Sequence, residues 1–170
     1  MSEYKVANDI VELAQLLRNG ETHIKINFAD CSFLYQGLWE QGVDLQEFDI
    51  SEWDVSSVTD MNHMFWNAYA FNQPIGNWNV SRVTDMSCMF YEAFSFNQDL
   101  SNWDVSSVIS MRSMFRWASN FNQPIGNWDV SSVTDMSSMF CLAEKFNQDI
   151  SNWKLKNLKP ERNKSNENYS

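Results

Sequence analysis

Few side chains in this chain of 170 residues are of the types that carry metal or redox chemistry. It contains three cysteines, Cys31, Cys88 and Cys141, and two histidines, His23 and His63. A structural zinc site needs four ligands at close spacing, and the sequence has no CxxC pair. We therefore interpret the cysteines as free thiols, which fits a reducing compartment, and expect no metal and no cofactor.

The sequence does not point to catalysis. It offers no Ser/His/Asp or Cys/His arrangement, no Gly-rich phosphate loop and no unique pair of carboxylates. His63 is the only histidine outside the N-terminal region, and we expect its side chain to be solvated. The sequence therefore predicts a protein that is not an enzyme and has no catalytic residue, with an enzyme as a much less favoured alternative.

A 25-residue repeat organises most of the chain. Phe-Asn-Gln and Met-Phe recur in step with a regularly spaced tryptophan. The tryptophans are Trp53, Trp78, Trp103, Trp128 and Trp153. Turns reading Pro-Ile-Gly, at 74–76 and 124–126, alternate with turns reading Asp-Leu-Ser or Asp-Ile-Ser. A period of this length falls in the range typical of leucine-rich repeats.

The apolar residues of one unit, 71–95, predict how it folds. Trp78 and Val80 have the spacing of a strand, and the apolar positions from Met86 to Ala93 share one face of a short helix or a 3₁₀ run. Units stacked about 4.8 Å apart would pair their strands and bury Trp, Met and Phe. The predicted fold is an α/β solenoid, a leucine-rich-repeat-like stack of coils, each with a short parallel strand and a short helical return.

Three segments are expected along the chain. Residues 1–45 form an N-terminal cap, with a helix at about 9–19 and a strand at about 22–28. Residues 46–159 form the solenoid. Residues 160–170 form a polar tail that we expect to be disordered.

Two polar columns within the repeat are interpreted as structural. One is a column of asparagines expected to be buried and to hydrogen-bond the backbone of neighbouring units: Asn72, Asn97, Asn122 and Asn147. The other is expected to cap the helical segment through backbone N–H groups: Asp60, Asp85, Ser110 and Asp135.

An acidic face is the first candidate binding surface. It lies on the predicted strand face and consists of Glu52, Asp54, Asp104 and Asp129. Neighbouring carboxylates about 5 Å apart repel by roughly 1 kcal/mol in water, and the fold tolerates that repulsion. We interpret these residues as solvated acidic decoration, with a site for a basic partner or a cation as the alternative.

The second candidate surface follows the Met-Phe pairs and carries aromatic residues with one arginine. These residues are Trp66, Tyr69, Tyr91, Phe94, Arg116 and Trp117. Aromatic and arginine side chains are the ones that carry most interface energy. They form a partner-binding patch if they are exposed, and peripheral core if they pack against the neighbouring unit.

Charge and hydropathy limit the partners. The chain has a net charge of −10, and residues 1–153 carry 7 Lys or Arg and 20 Asp or Glu, a net charge of −13. An acidic body repels phosphate backbones and anionic lipid, so no nucleic acid is expected. No stretch approaches the roughly 20 apolar residues of a membrane span. We expect a monomer or a weak end-to-end oligomer.

The repeat resembles a known family. The stretch from Trp128 to Phe140, preceded by Phe121-Asn122-Gln123, is similar to the BspA-type leucine-rich surface-protein repeat of bacteria, and the similarity covers about 48–153. That family also includes many mycoplasma proteins labelled as a domain of unknown function. The resemblance implies a leucine-rich-like solenoid, often on bacterial surfaces or in lipoproteins, with adhesion or host-protein binding as the role proposed for some members. This chain has no signal peptide and no lipid-acceptor Cys at its N-terminus, so the sequence as written predicts a cytoplasmic location.

The favoured hypothesis is a non-enzymatic interaction module, a bacterial surface or adhesion-type protein that binds a protein or a glycan through one solenoid face. The alternative is an intracellular protein–protein interaction scaffold of the same fold. Ice binding through Thr59, Thr84 and Thr134 is much less favoured, because Ile109 interrupts that column.

Overall fold

The computed structural model describes residues 3–154, and its regular elements lie in the N-terminal part. They are β1 (Lys5–Ala7), α1 (Ile10–Arg18), β2 (Ile24–Ile26), α2 (Leu34–Glu40) and a 3₁₀ turn at Leu45–Glu47. Strands β1 and β2 pair in parallel, with Lys5 opposite Ile24 and Ala7 opposite Ile26. Residues 155–159, the end of the predicted solenoid, and the predicted tail 160–170 lie outside the described residues.

Helix α1 begins with reciprocal capping. The Asp9 carboxylate accepts the Glu12 N–H at 2.8 Å, and the Glu12 carboxylate accepts the Asn8 N–H at 2.9 Å. Leu13, Ala14 and Leu17 form the buried face of the helix. The helix therefore follows from local sequence signals, and it occupies the interval for which the spacing predicts one.

The repeat region departs from the local structure expected of each unit. Among the described residues after the 3₁₀ turn there is no helix and no regular strand, only turns and isolated bridges. Residues 78–80 form no strand, and residues 86–93 form a series of turns. The structure therefore corrects the prediction of a strand and a helical return at these positions. One parallel bridge, Lys25 to Asp54, lies at the equivalent position of the first unit. The others lie elsewhere and link Asp30, Asp60, Asp85, Ser110 and Asp135 in that order.

Alternating hydrogen bonds explain why the segment of turns is not a helix. The N–H groups of Met61, His63, Phe65 and Asn67 each donate, at 2.9 Å, to a carbonyl of the next unit along the chain. The N–H of Met64, which lies between these donors, instead bonds within its own unit, to the carbonyl of Met61 at 3.2 Å. A helix would direct all of these groups along its own axis. The alternation therefore joins each unit to the next while leaving the unit internally bonded.

This alternation requires left-handed backbone at two positions in each unit. In the unit 71–95 they are Cys88, with φ of 54°, and Glu92, with φ of 57°. The other non-glycine residues with positive φ are Phe33, His63, Asn67, Ser113, Trp117, Ser138 and Leu142. Each such residue costs about 1–2 kcal/mol, and the hydrogen bonds between units offset that cost.

Aromatic rings fill the space between the units. Phe65 stacks on two rings of the next unit, Phe71 at 4.1 Å and Phe90 at 5.6 Å between ring centroids. The indole N–H groups also reach between units, since Trp78 donates to the carbonyl of Ile50 at 3.0 Å and Trp103 to that of Ile75 at 3.0 Å. The aromatic side chains of each unit are therefore buried largely by contacts with its neighbours.

The two polar columns make the predicted kinds of hydrogen bond, with two differences. The Asn97 N–H donates to Asn72 Oδ1 at 2.9 Å, and Asn122 repeats this bond to Asn97, but Asn72 and Asn97 are exposed rather than buried. Asp60 and Asp85 accept the N–H two residues ahead, and they cap turns rather than a helix. The columns hold the turns in place.

The last described unit has an open side. Among residues 3–154, the N–H groups of Met136, Ser138, Phe140 and Leu142 find no acceptor, unlike the equivalent groups in earlier units. Phe140 and Phe146 are also only partly buried, whereas Phe115 and Phe121 one unit earlier are fully buried.

A close approach of the backbone explains why the Pro-Ile-Gly turn contains glycine. A Cβ at Gly76 would overlap the carbonyl oxygen of Asp99, and Gly126 has the same relation to Asp149. The next turn carries Ser101 at the equivalent position. The alternation of the two turn sequences therefore matches an alternating close approach of the backbone between units.

Gly76→Ala is expected to lower the free energy of unfolding by about 1–3 kcal/mol, because the methyl group pushes against the backbone of the next unit. Urea denaturation followed by circular dichroism measures the change. Ser101→Ala, at the equivalent position, is the matched control and should stay within about 0.5 kcal/mol of the native chain. Equal midpoints for the two variants would contradict the steric explanation.

Asn97→Ala is expected to destabilise the protein by about 1–2 kcal/mol. The side-chain oxygen of Asn97 accepts the Asn122 N–H at 2.9 Å and the Gln123 amide at 3.0 Å, and the substitution removes both bonds. Asn102→Ala is the control, since Asn102 is exposed and makes no side-chain hydrogen bond among the described residues. Thermal unfolding of both variants checks the prediction, which fails if they melt together.

Candidate functional site

The six predicted partner-binding residues, here called the aromatic surface, divide into two groups. Tyr69 is 50 % exposed, Phe94 37 % and Trp117 38 %. Trp66, Tyr91 and Arg116 are half-buried. The surface thus combines exposed side chains with half-buried ones. Neither an exposed patch nor peripheral core, the two alternatives left open by the sequence, describes all six residues.

The backbone between units places Tyr69 and Phe94 side by side. They occupy equivalent positions in successive units, and the Ser95 N–H donates to the carbonyl of Tyr69 at 3.0 Å. Their rings stack with centroids 5.2 Å apart and planes 12° from parallel. The two rings therefore cover part of each other's faces and present their edges.

Arg116 lies in the column of Trp66 and Tyr91. Its guanidinium carbon is 5.9 Å from the centroid of the Tyr91 ring, within the range of a cation–π interaction. Its Nε is buried and has no hydrogen-bond partner in the structure. The side chain is therefore held against Tyr91 rather than extended into solvent.

Sequence reasoning missed Phe33, which is 42 % exposed and extends the aromatic surface toward the N-terminus. Its ring stacks on His63 at 4.5 Å, and Trp66 meets both rings edge-on at 6.2 Å. The signal was present, because residues 30–35 follow the pattern of 60–65, but the spacing between these segments is longer than the regular period.

His63 is half-buried, which corrects the expectation of a solvated side chain. Burial lowers its pKa below the ordinary value, against the opposing influence of Asp85 and Asp60. The imidazole is therefore neutral at pH 7 and packs as an aromatic ring beside Phe33.

The aspartates of the acidic face each hydrogen-bond their own turn. Asp54 accepts the Ser56 N–H at 3.0 Å and pairs with Lys25 Nζ at 3.4 Å. Asp104 accepts the Ser106 N–H and hydroxyl, and these bonds lower the pKa of Asp104.

Asp129 accepts the Ser131 N–H at 3.0 Å, and Glu52 is exposed. Within residues 3–154 no group of three His, Cys, Asp or Glu side chains is placed to hold a metal ion. The geometry of the acidic face is that of local turn capping.

The three cysteines differ in environment. Burial, with the charges of Asp30 and Asp60, raises the pKa of Cys31 to about 12. Burial also raises the pKa of Cys88, which is half-buried, whereas Cys141 is exposed. A hollow of about 290 Å³ lies beside Cys31, lined by Phe28 and Leu34 among others.

Iodoacetamide at pH 8 is expected to alkylate Cys141 first, Cys88 slowly and Cys31 only after unfolding. The thiolate is the reactive form, and a thiol with a pKa of about 12 is almost wholly protonated at pH 8. Peptide mass spectrometry with and without urea measures the order. Labelling of Cys31 in the folded protein at the rate of Cys141 would contradict it.

No helix among residues 3–154 has the length and apolar character that crossing a membrane requires.

Comparison with known proteins identifies the family of the chain. No curated protein and no solved structure matches the chain. A family model described as mycoplasma protein of unknown function, DUF285, matches it twice, over residues 36–115 and 98–165. Since the two matches span most of the sequence, the chain belongs to this family of mycoplasma proteins of unknown function.

Proposed function

We propose that the chain is a non-enzymatic interaction module that binds another protein through the aromatic surface. The observation that carries the proposal is the exposure of Tyr69, Phe94 and Trp117 on three successive units, in a region that buries its repeated Trp and Phe side chains. Tyr, Trp and Arg are enriched among residues that dominate binding energy. A fixed backbone beneath them lowers the cost of ordering on binding.

The ring geometry favours a protein over a glycan. A sugar ring stacks on the face of an aromatic side chain, but Tyr69 and Phe94 stack on each other at 5.2 Å. Ring edges and the half-buried Tyr91 and Arg116 suit the mixed apolar and polar side chains of a protein partner.

The proposal includes the architecture that displays this surface. In it, residues 46–159 form a solenoid of the BspA-type leucine-rich kind, with turns in place of regular strands and helices. Support comes from the hydrogen bonds between successive units and from the ring series Phe71, Phe96, Phe121 and Phe146, whose successive centroids are 5.9, 6.1 and 6.0 Å apart.

A bacterial surface location belongs to the same proposal and rests on the family resemblance. The alternative is an intracellular scaffold of the same fold. Protease treatment of intact cells distinguishes the two, because only a protein on the surface is degraded while the cells remain closed.

Weak end-to-end association also remains a proposal. It is supported by the partly exposed phenylalanines of the last described unit and by its N–H groups that have no acceptor within residues 3–154, since an open edge pairs readily with another chain.

A triple variant, Tyr69→Ala, Phe94→Ala and Trp117→Ala, tests the interaction surface. Purified protein is used to capture proteins from a host-cell extract, and quantitative mass spectrometry compares the variant with the native chain. We expect at least one captured protein to fall roughly tenfold or more, since each hot-spot residue contributes about 2 kcal/mol.

The control variant, Tyr4→Ala, Trp39→Ala and Ile109→Ala, removes three hydrophobic side chains of similar exposure elsewhere. It should capture the same protein as the native chain, and both variants should keep the native circular dichroism spectrum. Undiminished capture by the first variant, or equal loss in the two, would remove the aromatic surface as the binding site.

A further inference from the structure

We propose that the aromatic surface contains a subsite for the carboxylates of an acidic peptide segment, formed by Arg116 and Arg112 beside Tyr91 and Trp117. The inference rests on the proposed function and names the chemistry of the partner. A carboxylate fits the paired donors of a guanidinium, and Arg is the residue best suited to that pairing.

Arg116 is prepared for binding. Its guanidinium lies over the Tyr91 ring, and its buried Nε has no hydrogen-bond partner. Among residues 3–154 the half-buried Arg116 side chain donates no hydrogen bond to a carboxylate or a carbonyl, so its guanidinium keeps donors for a ligand. A side chain already held in place loses little entropy when it binds.

Arg112 brings a second positive charge to the same place. It is exposed and lies four residues before Arg116. The Cys88 N–H donates to the carbonyl of Arg112 at 2.8 Å and the Glu92 N–H to that of Arg116 at 2.9 Å, so both arginines lie beside the same neighbouring unit. Both positive charges also act against the burial that raises the pKa of the Cys88 thiol. Two positive charges therefore lie along the boundary between neighbouring units.

Among residues 3–154, neither arginine forms an ion pair with a carboxylate. Lys25 and Asp54 form an ion pair, but it does not involve either arginine. Asp85 also lies near Cys88, but its carboxylate accepts the Ser87 N–H at 2.7 Å and forms no ion pair with either arginine. Although the chain has 22 acidic residues and a net charge of −10, the described residues leave these two cations without an ion pair.

The surroundings favour an acidic peptide over a polyphosphate. The overall negative charge repels a nucleic acid or another extended polyanion, whereas a short peptide with a few carboxylates can contact the two arginines directly. The exposed rings of Trp117 and Phe94 suit apolar side chains interspersed among those carboxylates.

Two synthetic twelve-residue peptides test the subsite. One contains Glu, Leu and Phe, and the other has Gln at every Glu position. Isothermal titration at low salt is expected to show the acidic peptide binding the native chain roughly tenfold more tightly than the Gln peptide, because a charged hydrogen-bonded pair contributes about 1.5 kcal/mol or more. Added salt should reduce this preference.

Variants assign the preference to the two arginines. The double variant Arg112→Gln and Arg116→Gln should lose the preference for the acidic peptide, and Arg112→Gln alone should reduce it. The single variant leaves the stacked Arg116 in place, so it remains informative if the double variant folds poorly. Arg82→Gln removes one exposed positive charge elsewhere in the repeat and should retain the full preference.

Three results would overturn the inference. They are equal binding of the two peptides by the native chain, an equal loss of preference in Arg82→Gln and Arg112→Gln, and tighter binding of a peptide with phosphoserine at the Glu positions. If both peptides bind equally and the aromatic triple variant binds neither, the interaction surface stands and only the carboxylate subsite fails. If the acidic preference persists while the triple variant still captures its partner, the proposed function fails instead.

Discussion

The hydrogen bonds between successive units are the interaction on which the rest of the repeat region depends. Every second N–H in the segment of turns, such as those of Met61 and Phe65, bonds the following unit rather than its own. No unit can bury its phenylalanines or satisfy its backbone alone. The left-handed residues, the stacked rings and the asparagine column are consequences of bringing the backbones of neighbouring units into this register.

The same constraint positions the proposed binding surface. Trp117 has left-handed backbone with φ of 62°, and its N–H donates to the carbonyl of Cys141 at 2.9 Å. The Glu92 N–H donates to the adjacent carbonyl of Arg116 at 2.9 Å, so the Trp117 side chain is exposed on backbone that is bonded on both sides. Tyr69 and Phe94 are held differently, because the N–H of each bonds within its own unit while the carbonyl of each accepts an N–H of the next unit. The exposed rings therefore stand on backbone that is fixed by hydrogen bonds.

The spacing of apolar residues predicted which positions are buried better than it predicted the local backbone conformation. Met86, Met89 and Phe90 are buried, as one face of a helix would require, yet they belong to turns. Spacing of three and four residues also fits a series of turns, and left-handed positions occupied by Cys88 and Glu92 carry no glycine or asparagine signal. Phe33 was missed because its segment repeats at a spacing longer than the regular period.

The sequence by itself determined the period, the residues that face inward and the helix of the N-terminal region, because these depend on spacing and local capping. Only the tertiary structure decided which aromatic side chains are exposed and that Arg116 lies on Tyr91. Those outcomes depend on contacts between residues that lie one repeat period apart in the chain. Side chains in the same local sequence are buried or exposed according to how the adjacent unit packs against them. Phe121 is fully buried, whereas Phe146 in the same Phe-Asn-Gln motif is only partly buried.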